Sequence, residues 1–169
     1  MRKTFFITIL MFLCVAVQIA SAQKFGYVNS AALLSELPEV KAADSELTVL
    51  QNQLKKKGED MVTAFQQKYT EISTKEKNGE FSPKQIEVES QKLKEEETRI
   101  SQFEQESSQT LAKKREELLK PILDRVNKAI SDTATENGFS YVFDASANIL
   151  LYADATADVT PLVKKKLGL

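Results

Sequence analysis

The chain has 169 residues, with 23 Lys and Arg against 24 Asp and Glu, five glycines, one cysteine and no histidine. With no histidine and Cys14 alone, histidine general bases, His-containing metal sites and intrachain disulfides are excluded, and no glycine-rich phosphate loop or basic excess points to nucleotide or nucleic acid. Asp144, Asp154 and Asp158 form the acidic cluster outside the long charged stretch, and their acceptors suit strand-end and helix-start backbones, so the chain reads as a non-enzyme with no cofactor and no metal.

Met1-Arg2-Lys3 is a basic start, Phe5 to Ile19 is a nearly unbroken apolar run, and Ala20-Ser21-Ala22 supplies the small residues a signal peptidase requires. We expect residues 1–22 to be a signal peptide cleaved after Ala22, with the mature protein exported to the periplasm. The apolar run is short for a membrane span, and bulky Leu13 before Cys14 argues against a lipid anchor. Loss of Arg2 and Lys3 takes the basic count from 23 to 21 against 24 acidic residues, a net charge of −3.

Lys24 to Asn29 reads as a short strand, rich in aromatic and β-branched residues. After Asn29 or Ser30 as a cap, Ala31 to Leu37 forms one or two helical turns, which Pro38 ends or bends. A helix from about Glu39 to Lys77 follows. Its apolar ladder is Leu47, Leu50, Leu54, Gly58, Met61, Phe65, Tyr69 and Ile72, which repeats every eleven residues and predicts nearly straight or slightly right-handed winding. Asn78-Gly79 supplies a helix stop. Ser82, Pro83 and Gln85 supply an N-cap, a first-turn proline and a capping box for a returning helix that runs to about Glu136. With the turn near Glu80, residue i of the first helix should lie level with residue 160 − i of the second. Pro121 then stands opposite the start of the first helix, where a kink is expected.

Beyond Pro121 the apolar face becomes denser, through Ile122, Leu123, Val126, Ala129 and Ile130. Phe139 to Asp144 reads as a strand, and Ile149 to Tyr152 as another paired with it in a hairpin. Thr160-Pro161 opens a two-turn helix closed by Gly168. The predicted fold class is α+β: a small three-stranded, antiparallel-type β body carrying a long helical coiled-coil hairpin arm. The expected organisation is a body from residues 23–38 and 121–169 and an arm from 39–120 with its tip at about 78–82. Three short strands leave open edges and too few layers to bury their faces, so the body asks for oligomerisation. Its candidate residues are Phe25, Tyr27, Val28, Tyr141, Val142, Phe143, Ile149, Leu150 and Leu151, with Pro38 and Pro121 as arm hinges.

The order of these parts resembles the Skp (OmpH-like) family of bacterial periplasmic chaperones. The likeness rests on the signal peptide, Phe25-Gly26-Tyr27-Val28-Asn29, the charged hairpin, Asn137-Gly138-Phe139-Ser140-Tyr141-Val142-Phe143-Asp144-Ala145, and Asp158-Val159-Thr160. It covers the chain after the signal peptide. The resemblance implies a homotrimer whose strands build a central barrel, with three helical tentacles around a cavity. It also implies ATP-independent holding of unfolded outer-membrane proteins. The best-known members of that family are strongly basic, whereas this chain is mildly acidic, which argues against contact with a membrane surface or lipopolysaccharide.

A holdase needs many weak contacts, since a client enclosed by several arms gains from effective concentration. The client-binding candidates are Val62, Phe65, Tyr69, Phe81, Ile86, Val88 and Phe103. Helical spacing favours Phe65, Tyr69, Ile86 and Phe103 as seam residues of the hairpin. Phe81 at the tip and Val88 off the seam are better placed to meet a client. Lys55-Lys56-Lys57 and Glu95-Glu96-Glu97 read as solvated faces that could attract across the arm. The competing function is a structural or adaptor coiled coil that tethers or spaces envelope components.

Overall fold

The computed structural model describes residues 23–147 and 149–169. The expected signal peptide, its cleavage site and Cys14 lie outside the described residues. In chain order the structure has β1 (Phe25–Val28), α1 (Ser30–Glu36), α2 (Pro38–Lys77), α3 (Pro83–Glu136), β2 (Tyr141–Asp144), two short 3₁₀ turns (Ala145–Ala147 and Ala155–Ala157) and α4 (Thr160–Leu167). The described residues divide into two compact units, one holding residues 23–33 together with Lys128–Leu169, the other Leu34–Asn127.

The second unit is a helical hairpin. Leu37 is in an extended conformation and Pro38 takes the first helical position of α2, where its missing N–H costs nothing. The 40 residues of α2 span about 60 Å. At the tip Gly79 takes φ 71°, a conformation that a side chain would strain. Ser82 and Gln85 then form the reciprocal capping box: the Ser82 N–H donates to Gln85 Oε1 at 2.8 Å and the Gln85 N–H to Ser82 Oγ at 3.4 Å. Pro121 is carried inside the continuous helix α3, with no break at that position.

Along α2, Ala43, Leu47, Leu50, Leu54, Gly58, Met61, Phe65 and Ile72 are buried or half-buried and fall on an eleven-residue ladder. The helices meet in the expected register. Lys114 pairs with Glu46 at 2.6 Å, Arg125 with Glu39 at 2.7 Å, and the Lys57 ammonium sits 4.9 Å from the centroid of the Phe103 ring. The expected attraction between Lys55 to Lys57 and Glu95 to Glu97 takes another form. Lys55 pairs with Glu59 on its own helix at 3.7 Å, Lys57 covers Phe103, and Glu96 is met by Lys68 and Arg99. Apart from Glu96, whose side chain is mostly covered, the paired groups are substantially exposed, and such exposed pairs contribute roughly 0–1 kcal/mol each.

The first unit carries the sheet, and here the expected strand arrangement is corrected. Among the described residues the sheet has two strands, β1 and β2, and they run parallel, with Phe25 opposite Tyr141 and Tyr27 opposite Phe143. The hairpin between Phe139–Asp144 and Ile149–Tyr152 does not form, and no strand is assigned at Ile149 to Tyr152. The cause lies in the turn after β2. The Asp144 carboxylate accepts the Ser146 N–H at 2.9 Å and the Ser30 hydroxyl at 2.5 Å, and Ala145–Ala147 winds into a 3₁₀ turn. The chain therefore leaves the ladder where a hairpin would need a tight reversal. The other edge of β1 is engaged by Asp158 through a parallel bridge at Tyr27, with the Val159 N–H donating to Tyr27 O at 2.9 Å.

One face of the sheet is covered. Val28, Leu33, Ala129, Val159 and Val163 are buried in this unit, with Thr133 and Thr160. Thr133 satisfies its hydroxyl on Ala129 O at 2.7 Å, and Thr160 Oγ1 accepts the Asn29 N–H at 3.1 Å. At the end of α3, Gly138 takes φ 68° and the Phe139 N–H returns to Ala134 O at 2.9 Å. The Ser140 N–H then donates to Lys24 O at 2.7 Å, which starts β2 beside β1.

Burial raises the Asp144 carboxyl pKa, but hydrogen bonds from Ser30 and Ser146 outweigh it and hold the group below its ordinary value. A carboxyl depressed in the folded state contributes stability above its unfolded pKa, about 4, and loses that contribution as pH falls through the depressed value. Thermal unfolding followed by circular dichroism should show this loss on acidification below about pH 4. Asp144→Asn should have a lower Tm at neutral pH and a shallower acid dependence. Equal Tm for the two proteins at neutral pH would show that the carboxylate contributes nothing.

Candidate functional site

The hairpin unit holds a groove between α2 and α3 with a volume of about 580 Å³. Its apolar walls are Leu54, Val62, Phe103 and Leu111, and its rim carries Lys55, Glu59 and Glu104. Two small residues open it. Gly58 on α2 has no side chain, and Phe103 from α3 lies beside it, with Cε1 3.6 Å from where a Cβ would stand. Ser107, one turn further along α3, places a short polar side chain at a seam position. Its Oγ is buried with no hydrogen-bond partner in the protein.

Val62 and Phe103 thus share one groove, while the other arm candidates stand apart from it. Phe65 and Tyr69 stack on each other along α2, with ring centroids 6.4 Å apart. Phe65 is half-buried in the seam, but Tyr69 turns outward with 58% of its surface exposed. Ile86 is half-buried on α3, and Val88, off the seam, is 46% exposed. Phe81 is half-buried at the tip, with the Lys75 ammonium 5.9 Å from its ring centroid. Sequence reasoning missed Ser107 and the groove around it. The available signal was Gly58 inside a strong helical pattern, which marks a close approach or a gap.

A second surface lies on the strand unit. Because alternate side chains share a sheet face, the register sets Phe25, Tyr141 and Phe143 side by side. Phe25 stacks on Tyr141 at 5.8 Å and on Phe143 at 6.3 Å, and Tyr141 stacks on Phe143 at 6.4 Å. All three rings remain about half exposed. Tyr27 and Val142 are half-buried and Val28 is buried. Past the 3₁₀ turn, Ile149 and Tyr152 are exposed, Leu151 is fully so, and Leu150 is half-buried. No metal-binding cluster of acidic groups is present among the described residues, and none of their helices is long and apolar enough to cross a membrane.

Comparison with known proteins places the chain in a wider group. The model of the OmpH-like outer membrane protein family matches residues 24–167. No curated protein matches the chain. Among solved structures, an OmpH-like chain from Caulobacter crescentus CB15, described as a candidate outer membrane chaperone, superposes with a TM-score of 0.72 at 16% identity. The match covers 87% of this chain and 85% of that one, and at this identity it is a likeness of fold.

Proposed function

The chain belongs to the OmpH-like outer membrane protein family, and from that membership we propose that it is a chaperone. It holds unfolded outer-membrane β-barrel proteins in the periplasm without ATP, as an oligomer, after removal of a signal peptide ending at Ala22. The observation that carries the reading is the hairpin: helices of 40 and 54 residues, charged over most of their length, with apolar side chains dispersed among the charges. Val62, Tyr69 and Val88 are exposed along it, and Val62 and Phe103 border the groove. Each such contact is weak, and several arms around one client raise the effective concentration at every contact. Charges between them keep the unloaded arms soluble.

The exposed rings of Phe25, Tyr141 and Phe143 support assembly of the strand unit, since a face of this kind is usually covered by a partner. Among the described residues, β2 also has one edge unpaired. The number of copies, three, follows from the resemblance to the family. In this reading Ile149, Leu150 and Leu151 belong to the assembled body, and Pro38 and Pro121 mark where the arm leaves it.

The test is direct. A urea-unfolded outer-membrane barrel protein is diluted into nucleotide-free buffer with and without a few-fold molar excess of this protein, and light scattering is followed. Suppression of scattering is expected. Unchanged scattering, together with capture of a folded envelope protein at one epitope, would favour a tethering role for the hairpin instead.

A further inference from the structure

We infer that the exported chain carries a pyroglutamyl N-terminus, formed when Gln23 closes on its own α-amine. The inference rests on the reading that residues 1–22 are removed after Ala22, which makes Gln23 the first residue. The side-chain amide carbon of an N-terminal glutamine reaches its own α-amine in an unstrained five-membered ring. The two groups belong to one residue, so the reaction needs no encounter and gains the effective molarity of an intramolecular step. An α-amine titrates at about 7.7–8.0, and near neutral pH a fraction of it is uncharged and nucleophilic. The amine nitrogen attacks Cδ, the N–Cδ bond forms and the Cδ–Nε2 bond breaks. Nε2 leaves as ammonia with a proton taken from the amine, and no oxidant, reductant or water enters the balance. A cut one residue to either side would put Ala22 or Lys24 first, and neither side chain can close in this way.

The fold leaves Gln23 free and holds the residue after it. Gln23 is exposed, precedes β1 and makes no hydrogen bond with the other described residues. Lys24 is held at three points. Its carbonyl accepts the Ser140 N–H at 2.7 Å, its ammonium donates to Asn137 O at 3.1 Å, and the same ammonium sits 4.1 Å from the centroid of the Phe139 ring. The Gln23 side chain can therefore turn back on its own amine without breaking any bond of the sheet. The resulting lactam is neutral, so closure removes a positive charge one residue from the Lys24 ammonium. It also leaves no free amine for an aminopeptidase. Trimming past Gln23 would take Lys24, and with it the acceptor that starts β2 beside β1 and the cation over Phe139. The closed ring thus protects the strand unit at its first residue.

Mass spectrometry of the full chain, exported by its own leader and purified, tests this. Cleavage after glutamate releases residues 23–36 as the N-terminal peptide, and a synthetic peptide of the same sequence carried through the same steps controls for closure during handling. The peptide from the protein should be lighter than its encoded mass by one ammonia, while the synthetic peptide keeps the encoded mass. Aminopeptidase should leave the protein's first residues in place. Gln23→Ala, which has no amide to lose, should give its encoded mass and be trimmed. A peptide that begins at Gln23 with its encoded mass, or with no more closure than the synthetic control, overturns the inference and leaves the cleavage reading standing. So does trimming of the parent protein as fast as the variant. An N-terminus at any other residue overturns the cleavage reading, and the inference with it.

Discussion

Gly26→Ala should lower the stability of the strand unit by about 1–3 kcal/mol, the usual cost of forcing extra volume into a packed site. A Cβ at this position would stand 3.0 Å from Phe139 Cδ1 and Cε1 and 3.0 Å from Val159 Cγ1. Carbon atoms prefer about 3.5–4.0 Å, so Phe139 or Val159 must give way. Neither moves freely. Phe139 follows the Gly138 turn and carries the Lys24 ammonium 4.1 Å from its ring centroid, while Lys24 also donates to Asn137 O at 3.1 Å. Val159 is 1% exposed and its N–H is bonded to Tyr27 O. At this chain length the loss should read as a fall in Tm of about 2–4 °C per kcal/mol. Gly58→Ala is the matched control, because its new methyl meets only an ordinary contact and should leave Tm unchanged or raise it. Equal Tm for Gly26→Ala and the parent would mean that Phe139 yields, and that the sheet is not packed against it as tightly as the distances indicate.

The hairpin was legible in the sequence because its determinants are local. The capping box, the glycine at the tip and the eleven-residue ladder each act over a few residues, and a register counted from the turn then places Lys114 beside Glu46 and Lys57 over Phe103. The strand unit was less legible because its determinants are not local. Composition marks Lys24–Asn29 and Phe139–Asp144 as strands, but their relative direction is not written in either stretch, and in the fold they run parallel. Ile149-Leu150-Leu151-Tyr152 has the composition of a strand. Strand propensity, however, expresses itself only against a partner edge, and the hydrogen bonds of Asp144 to Ser30 and Ser146 steer the chain away from β2 first. The groove was hidden for another reason. Apolar periodicity reports where a seam runs, not where a small polar residue such as Ser107 interrupts it.

If the chain assembles through its aromatic face and holds clients as proposed, replacing Phe25, Tyr141 and Phe143 together by serine should yield single chains that no longer suppress aggregation. Fully burying an aromatic or large aliphatic side chain contributes about 1.5–3 kcal/mol. Each ring is already about half covered by its neighbours within the chain, so assembly gains on the order of half that amount per ring. Three rings per protomer then supply roughly 3 kcal/mol, about a hundredfold in the assembly constant for each copy. The substitutions face outward, opposite the buried Gly26 and Val28 side of β1, so the long helices should keep their circular dichroism. Sedimentation should report the mass of one chain. A lone hairpin retains Val62, Tyr69, Val88 and Phe103, but without other arms around the client each contact acts at its own weak affinity, and scattering should rise to that of the client alone. An unchanged mass would remove the aromatic face from the assembly interface. Single chains that still suppress scattering would show that one hairpin suffices, and that enclosure is not how the client is held.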